Sequence, residues 1–304
     1  MTNALQALID AVSLGSIYAL TALGIGLIFG ILRLINFAHG DFITIGAYSL
    51  IVPSAAVVAT PSLGAWPIYF MVPAVIGVVV VVALLTERVA FRPMRTASMA
   101  SLLVASFAVS YILQHVILMI YSGRPKAVNV GMNLAESINF AGLRVPAIEL
   151  VSIGAALVLL IALALFLRYT NYGVQMRAAA EDFQMARFLG VRANFVIALA
   201  FAISGLLAGV VSLILITQSG VLSVNMGLSV VMMAFVATVI GGMGSLVGAA
   251  VGGFVVGVAS GILQAVLPEQ LKLVREAFVF GFVILLLLVR PKGLIMTRAA
   301  RERI

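Results

Sequence analysis

The sequence of 304 residues contains no cysteine, so disulfide bonds and thiol chemistry are both excluded. Charged residues make up only 9% of the chain, whereas soluble globular domains contain about a quarter. Hydrophobic residues make up 63%, a composition typical of a protein that lies within a lipid bilayer. The net charge of +8 therefore indicates basic loops on the cytoplasmic side of a membrane, and no nucleic-acid partner is expected.

The motifs of the common enzyme classes are also missing. No lysine is preceded by glycine, so the phosphate-binding loop GxxxxGK[ST] is excluded and the chain cannot bind ATP in that manner. The motifs HExxH and GxSxG are absent, as is a set of paired histidines. We therefore expect no catalytic residues, no metal site and no cofactor in this chain.

About nine hydrophobic segments follow one another along the chain, most of them near the length that crosses a bilayer. The short alternating segments of a β-barrel are absent, so these segments predict helices. The first has no basic residue before it and is predicted to be retained as a span. The fold class is all-α: one polytopic transmembrane domain over residues 1–304, with about eight or nine spans. The segments are Ile9–Leu32, Phe42–Ala59, Ile68–Leu85, Ser101–Tyr121, Ala147–Leu167, Phe195–Thr217, Leu228–Ile240, Val247–Leu267 and Leu273–Val289.

The basic residues predict the orientation, because lysine and arginine are enriched in cytoplasmic loops. A long external loop is predicted over residues 122–146 and a cytoplasmic loop over residues 168–194. The N-terminus is then outside and the C-terminus is cytoplasmic. The residues assigned to the cytoplasmic side are Arg33, Arg88, Arg92, Arg95, Arg168, Arg177, Arg187, Arg192, Arg290, Lys292, Arg298, Arg301 and Arg303.

Glycine recurs every four residues in several segments, a spacing that lets helix backbones approach closely in lipid. The short seventh segment ends in Gly241-Gly242-Met243-Gly244 and is predicted to be a half-helix or a broken span. Asn36–Asp41 and Gly241–Ser245 each follow a segment and introduce a helix rich in small residues, which suggests an internal duplication. The glycines predicted to pack are Gly26 with Gly30, Gly244 with Gly248 and Gly252, and Gly253 with Gly257 and Gly261.

The most polar cluster beside a segment consists of Asn36, His39, Gly40 and Asp41. It has two compatible interpretations. In one, Asn36 or Asp41 caps the following helix and Gly40 permits a tight bend. In the other, the cluster marks a break at the inner end of a substrate pathway. The apolar centres hold almost no ionisable residues, which disfavours a proton or sodium carrier and suits a small, partly apolar substrate or a small amide.

The cytoplasmic loop is predicted to contain a helix over Val174–Leu189, which is rich in alanine and lacks proline and glycine. Gly190 is expected to follow as its C′ residue, and Asn194 to cap the next span. The helix is either a surface helix that extends its arginines to water or a docking helix for a cytoplasmic partner. Residues predicted to share one face are Met176, Ala180, Phe183 and Arg187, with Glu181 and Asp182 projecting elsewhere.

Four stretches carry a family resemblance: GSIYALTALGIGLIFGILRLINFAHGDFITIGAY (Gly15–Tyr48), MRAAAEDFQMARFLGV (Met176–Val191), IGGMGSLVGAAVGGFVVG (Ile240–Gly257) and VRPKGL (Val289–Leu294). Together they resemble the inner-membrane permeases of branched-chain amino acid ABC importers. The likeness covers almost the whole chain. The Leu-Pro that usually follows the cytoplasmic loop is missing, since Ala198–Ala208 contains no proline.

The resemblance implies a multi-pass permease of the bacterial inner membrane that pairs with a second, related permease. Two cytoplasmic ATPase subunits would bind ATP and Mg²⁺, and a periplasmic binding protein would deliver the substrate. By position, Asn36, His39, Gly40 and Asp41 would lie on the translocation path. The residues implied to contact an ATPase are Ala180, Glu181, Asp182, Phe183, Arg187 and Gly190.

The resemblance favours leucine, isoleucine and valine as substrates, since the chain has no large external insertion. Urea, short amides or other small carboxylates are the alternative substrates of similar importers. A stand-alone carrier or channel is the second hypothesis for the class of protein. His115, on an otherwise apolar segment, is predicted to be a hydrogen-bonded packing residue.

Overall fold

A computed structural model describes residues 2–54, 56, 58–95, 97–128, 137–140, 143–242, 244–272, 274–290 and 293–295. Helices dominate the described residues, and the predicted all-α, polytopic fold is confirmed. In chain order the helices are α1 (Thr2–Leu32), α2 (His39–Tyr48), α3 (Ile68–Thr86), α4 (Met99–Tyr121), α5 (Ala147–Tyr169), α6 (Asn171–Glu181), α7 (Phe183–Phe188), α8 (Ala193–Ser219), α9 (Met226–Gly241), α10 (Leu246–Val266), α11 (Glu269–Lys272) and α12 (Arg275–Val289).

Short irregular elements join these helices. Glu87–Phe91 forms a π-helical turn that extends α3, and Leu63–Ala65 forms a 3₁₀ turn. The strands pair antiparallel in two small sheets, β1 with β4 and β2 with β3. Their bounds are β1 (Lys126–Ala127), β2 (Ser137–Phe140), β3 (Leu143–Pro146) and β4 (Val221–Leu222).

Within the described residues, six helices are long and apolar enough to cross a membrane, namely α1, α3, α4, α5, α8 and α10. The predicted helix over Phe42–Ala59 is wrong in its second half, because α2 ends at Tyr48 and Pro53 cannot continue a helical ladder. There the chain turns back on itself, and Ile51 pairs with Pro61 in an isolated bridge. The short seventh segment is a 16-residue helix, α9, and the ninth is the 15-residue α12.

The described arginines of the predicted cytoplasmic loops gather at one end of the bundle, called the basic end below. Contacts between antiparallel helices show that these arginines lie at the same end. Gly26 of α1 lies against Ala249 at the start of α10, and Arg95 after α3 donates to Asn194 at the start of α8. The basic end holds Arg33, Arg88, Arg92, Arg95, Arg168, Arg177, Arg187, Arg192 and Arg290.

Helix α1 runs through the centre of the bundle, and 94% of its spanning window is buried. It packs antiparallel along α10, and glycines bring the two backbones into contact. A Cβ built on Gly257 would lie 2.5 Å from the Gly15 Cα, so no larger residue fits at that point. The close pairs along this contact are Gly253 with Ala19, Gly257 with Gly15, and Gly261 with Ala11.

The glycines Gly244, Gly248 and Gly252 were also predicted to pack helices together, and only two of them do so. Gly248 and Gly252 face α9, where added side chains would collide with the backbone around Gly241. Gly244 does not pack in this way, because it lies before α10 with φ +94° and a Cβ there would meet no atom within 4 Å. The same is true of Gly30, for which nothing lies within 4 Å. The prediction that Gly244 and Gly30 pack helices together is therefore wrong.

The bundle contains two triads of helices with inverted topology, α1–α2–α3 and α8–α9–α10. Each is a long helix, a short helix and a long helix. Helix α1 packs against α10, and α8 packs against α3 in the same way. The short helix α2 lies against α8, and the short helix α9 lies against α1. Inverted repeats of this kind, with broken helices at their interface, are a feature of transporter folds. The structural counterpart of Asn36–Asp41 is thus Asn225–Leu228, and the suggested duplication onto Gly241–Ser245 is wrong.

We predict that Gly257→Ala destabilises the purified protein, because the added methyl group would overlap the Gly15 backbone. Overpacking of this kind costs typically about 1–3 kcal/mol. The measurement is the thermal midpoint of unfolding in detergent. Gly154→Ala is the matched control, since Gly154 is an exposed mid-helix position where a Cβ would meet nothing within 4 Å. Equal midpoints for the two variants would contradict the packing argument.

Candidate functional site

The N-terminal turns of α2 and α9 meet inside the bundle, at a place called the junction below. A Cβ on Gly40 would lie 3.0 Å from the carbonyl carbon and oxygen of Gly227, so both positions need glycine. Thr44 fastens the contact, because its hydroxyl accepts the Gly227 N–H at 3.2 Å and donates to the Gly40 carbonyl at 3.2 Å. The junction therefore joins the two inverted triads backbone to backbone.

The positive ends of two helix dipoles converge at this point. Neither N-cap residue, Ala38 of α2 or Asn225 of α9, forms a side-chain capping bond. The junction is level with the middle of the bundle, since His39 Nδ1 lies 3.0 Å from the hydroxyl of Ser204, near the midpoint of α8. Half-helix N-termini near the bilayer centre are where secondary transporters bind the anionic groups of their substrates.

Buried polar atoms without a hydrogen-bond partner surround the junction. They are both carboxamide atoms of Asn36, the Nε2 of His39 and the Oδ2 of Asp41, in side chains that are at most 2% exposed. Leaving one such group unpaired costs about 1–3 kcal/mol. A cluster of them in a helical bundle therefore indicates a site for a polar ligand.

The capping interpretation of Asn36 and Asp41 is wrong. The N-cap of α2 is Ala38, with no side-chain bond. The carboxamide of Asn36 forms no hydrogen bond, and it is the main-chain carbonyl of Asn36 that accepts the His39 N–H at 3.3 Å. Asp41 lies in the first turn of α2 beside Ser110 and Gln114 of α4. Its carboxylate is thus directed sideways, between two helices.

His39 holds the start of α2 between α1 and α8. Its ring lies against Gly24, where a Cβ would be only 2.7 Å from Nε2. The side chains of His39 and Ser204 are both fully buried. The other histidine, His115, bonds the Tyr111 carbonyl one turn earlier at 2.9 Å within α4. That contact is local to one helix, in agreement with a packing role.

Three phenylalanines that were not predicted from the sequence adjoin the polar part of the junction. Phe37 stacks on Phe107 of α4 with ring centroids 4.3 Å apart, and it lies 5.6 Å from Phe235 of α9. Phe37 is 7% exposed and Phe107 is half exposed. Only the position of Phe37 between Asn36 and His39 could have indicated this cluster, because its other members come from distant segments.

The predicted helix over Val174–Leu189 is interrupted. Helix α6 ends at Glu181 and α7 begins at Phe183, with Asp182 between them in an extended conformation. The Asp182 carboxylate accepts the Met185 N–H at 2.9 Å and so caps α7. An aspartate in that position favours a new N-terminus over continuation of the helix, which is why the alanine-rich pattern misled the prediction.

Of the two residues predicted to mark the ends of helices here, Gly190 behaves as predicted and Asn194 does not. Gly190 has φ +88° and follows α7, and the N–H of Val191 bonds the Ala186 carbonyl at 3.0 Å, as in a glycine-terminated helix. Asn194 does not cap α8, whose N-cap is Arg192. The Asn194 carboxamide instead accepts a hydrogen bond from Arg95, which also pairs with Glu87.

The interruption at Asp182 changes which residues are exposed. Phe183 and Ala180 pack against the core, and Glu181, Asp182 and Arg187 are exposed. The large apolar residues that face solvent are Met185, Phe188 and Leu189, which are 54%, 85% and 79% exposed. This α7 patch lies at the basic end, beyond the spanning helices. Contiguous exposed apolar residues in such a place mark an interaction surface.

The fold and the junction define a class: a polytopic helical permease with inverted triads and broken helices at its centre. Residues 7–289 match the family described as branched-chain amino acid transport system / permease component. The chain belongs to this family.

Named relatives agree with that assignment. The chain is 33% identical to "High-affinity branched-chain amino acid transport system permease protein LivH" of Escherichia coli (strain K12), over 96% of this chain and 95% of that protein. It is 32% identical to the BraD protein of the same description from Pseudomonas aeruginosa, again over 96% and 95%. The "Probable branched-chain amino acid transport permease protein LivH" of Methanocaldococcus jannaschii is 28% identical over 90% of this chain and 83% of that protein. These relatives are transport permeases and not enzymes.

We predict that Thr44→Val weakens the junction. Valine has nearly the same shape, but it leaves the buried Gly227 N–H without an acceptor, at a cost of about 1–3 kcal/mol. The thermal midpoint of the purified protein should fall. Thr44→Ser retains the hydroxyl and is the matched control, with a midpoint close to that of the parent. A midpoint for Thr44→Val equal to that of Thr44→Ser would show that the hydroxyl does not fasten the junction.

Proposed function

We propose that this chain is a permease subunit of an ABC importer that carries branched-chain or related hydrophobic amino acids across the bacterial inner membrane. The observation that carries the proposal is the family match over residues 7–289. The relatives named for branched-chain amino acid transport are similar over nearly the full chain, which supports the same substrate class here.

The translocation path passes through the junction. An amino acid at the centre of the membrane presents a carboxylate, an ammonium group and an apolar side chain. The two helix N-termini and the Asn36 carboxamide suit the carboxylate. The Asp41 carboxylate suits the ammonium group, and Phe37 with Phe107 and Phe235 suits an aliphatic side chain. The bond between His39 and Ser204 positions α2, and the unpaired Nε2 of His39 adds a further polar atom to the path.

The basic end faces the cytoplasm, because arginine-rich loops are retained on that side. The N-terminus is then outside and the C-terminus inside, with about nine crossings. In the second crossing a non-helical stretch enters the membrane and continues as the half-helix α2. In the seventh crossing a non-helical stretch continues in the same way as the half-helix α9. This topology supports the long external loop over residues 122–146 and the cytoplasmic position of residues 168–194.

Partner subunits supply the energy and the substrate. Two cytoplasmic ATPases bind ATP and Mg²⁺, a second, related permease completes the membrane unit, and a periplasmic binding protein delivers the amino acid. The segment around α6 and α7 contacts an ATPase through the α7 patch, with Glu181, Asp182 and Arg187 at its rim. Ala180, Phe183 and Gly190 act there by shaping the segment.

We predict that Asp41→Asn lowers leucine uptake by the complete transporter at least about tenfold, since a contact to a charged group contributes about 1.5–3 kcal/mol. Membrane insertion and co-purification with the ATPases should be unchanged. Glu269→Gln, an exposed acid at the opposite end, is the control and should transport normally. Normal uptake by Asp41→Asn would show that Asp41 does not bind the substrate on the translocation path. Uptake into liposomes by this chain alone, without ATP, would instead contradict the whole importer assignment.

We predict that Phe188→Ser reduces co-purification of the ATPase subunits and lowers uptake, because a largely exposed aromatic ring would be the main apolar contact of the α7 patch. The amount of permease in the membrane should not change. Val266→Ser removes an apolar residue that is also largely exposed, at the opposite end, and is the matched control. Full ATPase association of Phe188→Ser would place the docking surface elsewhere.

A further inference from the structure

A long apolar groove opens on the surface of the bundle between α5 and α10. Its volume is about 900 Å³, its walls are α5 and α10, and its floor is the central helix α1. Ser16, Ala19 and Leu23 of α1 line the floor and are at most 4% exposed, so the groove ends on the central helix. Along α5 it extends from Ile153 to Leu167, which is roughly 21 Å of helix. That length exceeds the roughly 15 Å of one leaflet of a 30 Å hydrocarbon core, so one acyl chain fits along the groove.

Positive charge is concentrated at one end of this groove. Arg168 and Arg177 line it at the basic end, and both side chains are exposed. Among the residues that the structure describes, neither forms an ion pair. The guanidinium of Arg168 lies 5.3 Å from the ring of Tyr169, an aromatic residue of the kind enriched at the membrane–water interface.

A helix N-terminus lies at the same end. Ser245 and Leu246, at the start of α10, line the groove together with the two arginines. The Ser245 hydroxyl accepts the Gly248 N–H at 3.0 Å, so the first amides of α10 that keep no partner inside the helix are those of Leu246 and Val247. Free amides and the positive end of a helix dipole favour an anionic oxygen.

We propose that this groove binds an anionic phospholipid, with its phosphate between Arg168, Arg177 and the N-terminus of α10. One acyl chain lies along the groove against α1. The three features agree on one ligand: an apolar channel of acyl length, two unpaired arginines and free helix amides at its head. Basic pockets between transmembrane helices on the cytoplasmic side bind the head groups of anionic lipids in this way. The site is separate from the junction and does not depend on which substrate the permease carries.

The test is lipid binding by the purified permease in its complex, measured by native mass spectrometry after exchange into equal amounts of phosphatidylglycerol and phosphatidylethanolamine. We expect the parent to retain phosphatidylglycerol preferentially. The double variant Arg168→Gln/Arg177→Gln should lose that preference by about thirtyfold, given about 1 kcal/mol for each of the two basic residues near an anionic surface. Arg88→Gln/Arg92→Gln removes two exposed arginines at the same end that do not line the groove, and it should retain the preference.

A second variant tests the apolar part of the groove. Ala164→Phe fills it from an exposed position on α5 and should reduce retention of either lipid without lowering the thermal midpoint. Unchanged selectivity in the arginine variant, or unchanged retention in Ala164→Phe, would overturn the proposal. The chain has no cysteine, so Leu157→Cys introduces a single thiol into the groove. Cross-linking of that thiol to the second permease would also overturn it, because the groove would then be a protein interface.

Discussion

The backbone contact between α1 and α10 is the constraint on which the rest of the structure depends. Lipid is as apolar as the side chains, so burying apolar area does not drive helices together inside a membrane as it does in water. Close approach through glycine provides van der Waals contact instead, and Gly253, Gly257 and Gly261 supply it along three turns. Helix α1 is thereby fixed at the centre, and α5, α8 and α9 pack around it.

A fixed α1 makes the broken helices possible. A helix end within a bilayer exposes amides that lipid cannot satisfy, so such ends are stable only where protein surrounds them. Gly24 of α1 leaves room for the His39 ring, and Ser204 of α8 bonds its other side. The start of α2 is therefore enclosed by two long helices, and the start of α9 is placed against it. Of the nine unpaired buried side-chain atoms among the described residues, four belong to Asn36, His39 and Asp41 at this place, which is the main physical argument for a binding site there.

The sequence predicts the long helices well and the broken ones poorly. The first segment ends at Leu32 as α1 does, and the third begins at Ile68 as α3 does, because uninterrupted apolar runs carry that information. Phe42–Ala59 is also apolar, yet only its first part is helical, and hydropathy does not report where a helix stops inside lipid. The contact between Gly40 and Gly227 joins residues 187 positions apart, and although Gly40 belongs to the predicted cluster, nothing in the sequence pairs it with Gly227. The α7 patch was missed because its exposure depends on the interruption at Asp182.

Helix α8 connects the two parts of the molecule to which function is assigned. It begins directly after the segment that contains the α7 patch, and Arg95 ties its first turn to Glu87 at the end of α3. Ser204 lies roughly 16 Å further along the same helix, where it bonds His39 at the junction. A helix of 27 residues is stiff over that distance, so a displacement at its first turn reaches His39 with little loss. Helix α1 also reaches the basic end, where Arg33 follows it, and it packs against α6. In the proposed importer, an ATPase bound at the α7 patch would therefore act on α2 through α8, which begins beside that patch and bonds His39 at the junction.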